Sequence, residues 1–175
     1  MPVERIWAGN AGRNYSYLIG CDATGEALVI DPYDARLVLD AATAKRWSIT
    51  QIVNTHEHGD HTAGNAAVVA ATGAMVLAHA RAQGRIGSID RMLAHDDVVA
   101  VGTSERLRVL ATPGHTPAHI CLVGGGSLFS GDTLFNAGVG NCHGGGDPSV
   151  LYETFATVIA HLPDDLRVQP GHDYL

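Results

Sequence analysis

Residues 54–65 read NTHEHGDHTAGN, and no other stretch limits what the chain can fold into as strongly. Three histidines (His56, His58, His61) and two carboxylates (Glu57, Asp60) fall within six residues. Groups bunched this tightly are costly to desolvate, and like charges among them repel. The cluster follows an apolar run, Gln51 to Val53, and precedes an alanine-rich pattern of helical spacing over 62–72 that Gly73 stops. On a regular helix His56 and His58 would point about 200° apart, at ~100° per residue. On a loop leaving a strand, positions i, i+2, i+4 and i+5 can all turn inward. The pattern therefore asks for a turn at a strand-to-helix junction. It is not HExxH, because Asp60 stands where the second histidine would be. Imidazole and carboxylate together suit Zn, Fe or Mn, and so many ligands leave room for two ions. A divalent cation makes the crowding favourable by stabilising deprotonated ligands. A histidine-rich surface loop is the plain alternative, and the strand before and helix after weigh against it.

The other 163 positions of the 175-residue chain read as part of the same single domain, 1–175. A 46% hydrophobic content supplies a core, and 21 glycines with 17% charged residues suit a loop-rich α/β or α+β enzyme better than a helical bundle. The net charge of −7 argues against a nucleic-acid backbone or an anionic membrane surface as partner. Cys21, Cys121 and Cys142 are far apart and form no CxxC, so no disulfide framework is expected and a reducing cytoplasm is the expected location. The first residues contain no apolar run of signal-peptide or membrane-spanning length.

Strands are expected at 3–8, 15–20, 27–30, 49–54, 74–78, 98–101, 107–111, 120–123, 127–130 and 166–169. Helices are expected over 34–47, with Asp34 as N-cap, over 62–72, and over 148–162, with a proline at its start. Residues 80–97 fit a helix and a loop over a site, and 136–149 a glycine-rich loop. Each half runs from strands to a polar cluster to a helix, as two related halves would.

Three further polar clusters end apolar strands: 112-TPGHTPAH-119, 130-SGDTLF-135 and 170-PGHDY-174. Together with THEHGDH (55–61), the following HTAGN, and GDTLFNAGVG, they resemble the metallo-β-lactamase superfamily along nearly the whole chain. Their order and spacing are most similar to its glyoxalase II branch, the hydroxyacylglutathione hydrolases. The resemblance implies an α/β (α+β) fold, an αββα sandwich of two mixed sheets with helices on the outer faces and metals at one edge. It implies a first metal on His56, His58 and His115, a second on Asp60, His61 and His172, and Asp132 bridging them. Asp31 matches an acid that orients a ligand histidine, with a plain Asp-Pro turn as the alternative. The implied cofactors are two divalent ions, Zn with Fe or Mn as options. The implied reaction is attack of a metal-bridging hydroxide on a thioester carbonyl, with Asp60 and Asp132 as the carboxylates of the catalytic centre. His119 is expected to pack or to support a ligand, His79, His95 and His161 to lie elsewhere, and Glu57 to face solvent or a salt link.

The implied substrate is a small-molecule thioester, S-lactoylglutathione or a related acyl-thioester, and a homodimer is compatible with the pattern. Two departures bear on it. The branch carries a basic residue just after AGCG, where this chain has Asn141, Cys142 and His143; Asn141 and His143 are the expected substrate contacts there. Tyr174 matches a substrate-side tyrosine, with a core aromatic as the alternative. The branch also continues past PGHDY into a helical region with further glutathione contacts, which is expected to be absent here. The same motifs resemble the persulfide dioxygenases, in which one iron uses the equivalents of His56, His115 and Asp132; GDTLFNAG favours the hydrolase. A non-catalytic metal-binding domain of a larger protein is the third reading, and the presence of every implied ligand weighs against it.

Overall fold

Apolar residues alternate along the strands, and the alternation sorts the chain into two sheets stacked face to face. The computed structural model describes residues 1–174. The first half of the chain builds a six-stranded sheet in sequence order: β1 (Val3–Trp7), β2 (Tyr15–Gly20), β3 (Glu26–Ile30), β4 (Ser48–Val53), β5 (Met75–His79) and β6 (Arg91–Leu93). β1 to β3 pair antiparallel, and β3 to β6 pair parallel. The second half builds a five-stranded sheet from β7 (Val98–Val101), β8 (Glu105–Ala111), β9 (Ile120–Gly124), β10 (Ser127–Gly131) and β11 (Arg167–Pro170). Its order is β11-β10-β9-β8-β7, and only β10 and β11 pair parallel.

Tyr17, Ile19, Leu28 and Ile30 of the first sheet meet Leu107, Val109, Leu122 and Phe129 of the second. Leu18, Val29, Ile52 and Val76 of the first sheet face outward, against Val38 and Ala42 of α1 (Ala35–Lys45) and Val68 of α3 (Asn65–Thr72). Leu110, Cys121 and Leu128 on the other outer face are covered by Val158, Leu162 and Leu166, which lie just beyond α4 (Pro148–Thr157). Each large aliphatic or aromatic side chain buried this way contributes roughly 1.5–3 kcal/mol. The result is the αββα sandwich with two mixed sheets. Asp34 caps α1, its carboxylate accepting from Arg36 N and Leu37 N at 2.9 and 3.1 Å.

Strand direction places the site. β3 and β4 run parallel, so their C-terminal ends share an edge. β8 is antiparallel to β9, and β9 to β10, so β8, β10 and β11 also end on one edge. All four polar clusters leave the C-terminal ends of strands. They therefore converge on one rim of the sandwich.

Three expected elements differ. Residues 80–97 hold a single 3-10 turn (Ala80–Ala82) and the short strand β6 rather than a helix. Gly84 and Gly87 interrupt any helical run there, and Asp90 accepts from Val76 N at 2.8 Å, which leads the chain back alongside β5. The expected helix over 62–72 is split into α2 (Gly59–Thr62) and α3 by Gly64. Gly64 N donates to Pro32 O at 2.8 Å, and a Cβ at that position would collide with the same oxygen, so only glycine permits the approach. The helix expected over 148–162 ends at Thr157 and gives way to a 3-10 turn. Among the described residues, no helix is long and apolar enough to cross a membrane.

Candidate metal centre and active site

The site begins at Asp31, the first residue after β3, whose φ of 50° lies in the left-handed region. This buried carboxylate has both oxygens engaged. Oδ1 accepts from Thr55 N at 2.8 Å, and Oδ2 accepts from the Thr55 hydroxyl at 2.6 Å and from His61 Nδ1 at 3.0 Å. Since the Thr55 hydroxyl donates to Asp31, it accepts from His56 Nδ1, 3.0 Å away. His115 Nδ1 donates to Asn141 O at 2.6 Å, and His172 Nδ1 donates to Gly12 O at 2.5 Å. Four histidines thus spend their Nδ1 protons on acceptors outside the centre. Those partners assign the tautomer and leave four Nε2 lone pairs turned inward.

The inward atoms are close. His56 Nε2 and His115 Nε2 each lie 3.0 Å from His58 Nδ1. His61 Nε2 lies 3.2 Å from His172 Nε2, and Asp60 Oδ2 lies 3.4 Å from His172 Nε2. Two groups result, His56/His58/His115 and Asp60/His61/His172, each with its ligand atoms within 4.8 Å of one another. Asp132 stands between them. Its Oδ2 is 3.5 Å from His115 Nε2 and 3.3 Å from His172 Nε2, and its Oδ1 is 3.4 Å from His61 Nε2. Asp31, His56 and His61 also converge, but the Asp31 oxygens are already used, so Asp31 orients.

The donor set fits divalent cations. Lone pairs facing lone pairs near 3 Å repel, and Asp132 Oδ1 is buried without a hydrogen-bond partner among the described residues. An unsatisfied buried charged group is expensive, and a cation among these atoms removes both costs. The electrostatics agree. Burial alone would lower the His61 imidazole, but Asp132, Asp31 and Asp60 outweigh it and raise its pKa to about 9. Burial would raise Asp132, but His61, His172 and His115 hold it well below the carboxylate range. Burial, and then His61, keeps His56 well below its ordinary value. The buried carboxylate draws in positive charge, and a metal is the alternative to a proton on His61. Gly171 makes room, since a Cβ there would run into Asp132 Oδ1.

All seven residues expected as ligands therefore meet at one rim, with Asp31 behind them. His119 joins neither group. Its Nε2 accepts from Asp132 N at 3.0 Å, and its ring stacks on His56 at 5.0 Å, so it supports both of those residues. Glu57 is salt-linked to Arg85 Nη1 at 2.7 Å and accepts from Thr116 Oγ1 at 2.8 Å. Asn141 and Tyr174 line a cleft of about 250 Å³ beside Asp132, with Phe135 and Val139. Tyr174 stacks on His172 at 5.3 Å. His143 is exposed and outside this lining, its backbone N donating to Asn141 Oδ1. His79, His95 and His161 lie elsewhere on the fold, and the three cysteines are free. Sequence spacing missed the Gly12 carbonyl, Asn14 and Thr55. A GNAGRN stretch signals a turn but not what the turn touches.

Fold and centre together define a metal-dependent hydrolase. The profile of the metallo-beta-lactamase superfamily matches residues 9–172. The hydroxyacylglutathione hydrolase of Polaromonas sp. (strain JS666) is 59% identical over 178 residues, taking in 100% of this chain and 68% of its own length. The crystal structure of ETHE1 from Myxococcus xanthus is similar with a TM-score of 0.92 at 33% identity, covering 99% of this chain and 76% of that one. That of TTHA1623 in a di-iron-bound form has a TM-score of 0.81 at 28% identity, covering 97% and 91%. The chain belongs to the metallo-beta-lactamase superfamily and, within it, to the hydroxyacylglutathione hydrolases. It is an enzyme, a metal-dependent thioester hydrolase.

Proposed function

We propose that this enzyme cleaves the thioester of S-lactoylglutathione or a closely related acyl-glutathione, using two divalent ions, zinc foremost. The observation that carries this reading is the placement of the Asp132 carboxylate between two complete three-ligand groups. The relative named hydroxyacylglutathione hydrolase supports the substrate, and a relative solved with two irons supports the count of two.

His56, His58 and His115 would hold one ion, Asp60, His61 and His172 the other, and Asp132 both. Divalent ions so held supply Lewis acidity toward an acyl oxygen and lower the pKa of water toward neutrality. The protein does the rest. Asp31, Thr55, Asn141 O and Gly12 O keep each imidazole in the tautomer that ligates. Asp60 and Asp132 offset the ionic charge, which helps a carboxylate product to leave. The cleft presents Asn141 and Tyr174 to the substrate. Burial, then Asp132 and Asp60, raises the Tyr174 phenol pKa, so its hydroxyl stays protonated and can donate a hydrogen bond. A thiolate leaving group has a pKa near that of cysteine, about 8.5, and departs without a dedicated acid.

Metal content per chain, measured alongside hydrolysis of S-lactoylglutathione, tests the reading. Two ions with turnover is the expected result. One iron, no thioester cleavage and oxygen uptake with glutathione persulfide would overturn it in favour of a dioxygenase.

A further inference from the structure

We infer that the 9-GNAGRN-14 turn, acting through Asn14, positions the ligands of the second ion and so sets whether the centre holds one ion or two. The inference rests on the two-ion reading above. Asn14 is 1% exposed, between β1 and β2. Its Nδ2 lies 3.1 Å from Asp60 O and 3.1 Å from Asp60 Oδ2, so both amide protons are spent on one ligand residue. The amide cannot be flipped without loss. Asn14 Oδ1 accepts from Asn10 Nδ2 at 2.8 Å, and Asn14 N donates to Asn10 Oδ1 at 3.0 Å, which locks the nitrogen toward Asp60.

The same turn grips the other late ligand. Gly12 O receives His172 Nδ1, Tyr15 N donates to Gly171 O at 2.8 Å, and Asp173 N donates to Arg13 O at 3.0 Å. One turn therefore braces Asp60, 46 residues away from Asn14, and His172, 160 residues away from Gly12. Among the described residues, none of its hydrogen bonds reaches His56, His58 or His115. The brace matters most for Asp60, whose side chain is 44% exposed and has Asn14 as its amide donor. An unheld carboxylate at a rim swings into water, and ordering it again is charged against ion binding.

Asn14→Asp places a second carboxylate against Asp60 with little change in volume. Zinc titration of the metal-free chain by calorimetry should show the first binding step unchanged and the second weakened at least about tenfold, within the range for lost supporting partners. Asn14→Ser, which keeps one donor, should fall between. In an Asp60→Asn background, Asn14→Asp should weaken the second step no further, because the partner it acts through is gone. Equal weakening of both steps, or an additional loss in the Asp60→Asn background, would show a merely structural residue and overturn the inference. Unchanged stepwise affinities in a folded Asn14→Asp would overturn it too. A wild-type chain that takes up a single zinc would instead overturn the two-ion reading itself.

Discussion

The two ligand groups draw on the same short motif but are braced in different ways. His56, His58 and His115 form the enclosed group: His56 is fully buried and His115 is 3% exposed. Glu57, wedged between two of its ligands, ties that loop to Thr116 beside the third. Asp60, His61 and His172 form the open group, with Asp60 at the rim and a surface turn as its support. Residues 56–61 thus deliver two ligands to each group, and one histidine from the second half of the chain completes each. In the enclosed group His56 is held through Thr55 and His115 by the Asn141 carbonyl, whereas in the open group Asp31 holds His61 and a remote turn holds Asp60 and His172.

Asp132→Ala should erase the distinction altogether. It removes the one carboxylate shared by both groups, so kcat/KM should fall by several orders of magnitude while the chain stays folded. Steady-state rates, metal analysis and thermal melting check this, and near-normal turnover with full metal content would sink the bridging role.

Asp31→Ala acts on both groups less severely. It frees His61 directly and His56 through Thr55. A loss of about 10–100-fold in metal affinity is expected for a supporting carboxylate. Zinc titration should show both steps weakened, in contrast with Asn14→Asp.

Glu57→Ala should sharpen the contrast from the enclosed side. Cutting the link to Thr116 should weaken the first step by about tenfold at most and leave the second alone. If the second step moves instead, the division into two separately braced groups is wrong.

The smallest effect concerns the metal-free chain. His61 has a folded pKa of about 9 against 6.5 unfolded, so its protonated form adds stability below 6.5, and that stability is lost as pH rises through about 9. His56 and His119 are held below their ordinary value and act oppositely, costing stability only as pH falls below 6.5. Between about pH 6.5 and 9.5 the stabilisation of the metal-free chain relative to a His61→Asn variant should therefore fall, read as the difference between their melting temperatures. Zinc-loaded protein should lack the trend, because the ion replaces the proton; parallel curves for both forms would contradict this account.

Much of the site was legible in the chain because metal ligation demands particular residue types at short range. HxHxDH after an apolar run signalled a turn crowded with imidazole and carboxylate groups, and GH and GD pairs at strand ends signalled the side chains that meet them at the rim. Glu57 was readable as a spacer facing solvent or a salt link, and the structure supplies the link and its partners, Arg85 and Thr116. Residues 80–97 misled because Ala80 to Ala82 begin like a helix, while Asp90 and the edge of β5 draw residues 91–93 into a strand. Asn14 and the Gly12 carbonyl left no signal, since a turn rich in Gly and Asn looks the same whatever it touches.

By itself the sequence determined which imidazole and carboxylate groups are bunched together, the local turns and the apolar alternation that makes two sheets. These depend on residues within a few positions of one another. Only the tertiary structure decided that four loops share one rim, which ring nitrogen of His56, His61, His115 and His172 faces inward, and which remote group braces which side-chain cluster. Those depend on strand direction and on hydrogen bonds spanning 24 to 160 residues, and contacts at that range are set by how the sheets pair.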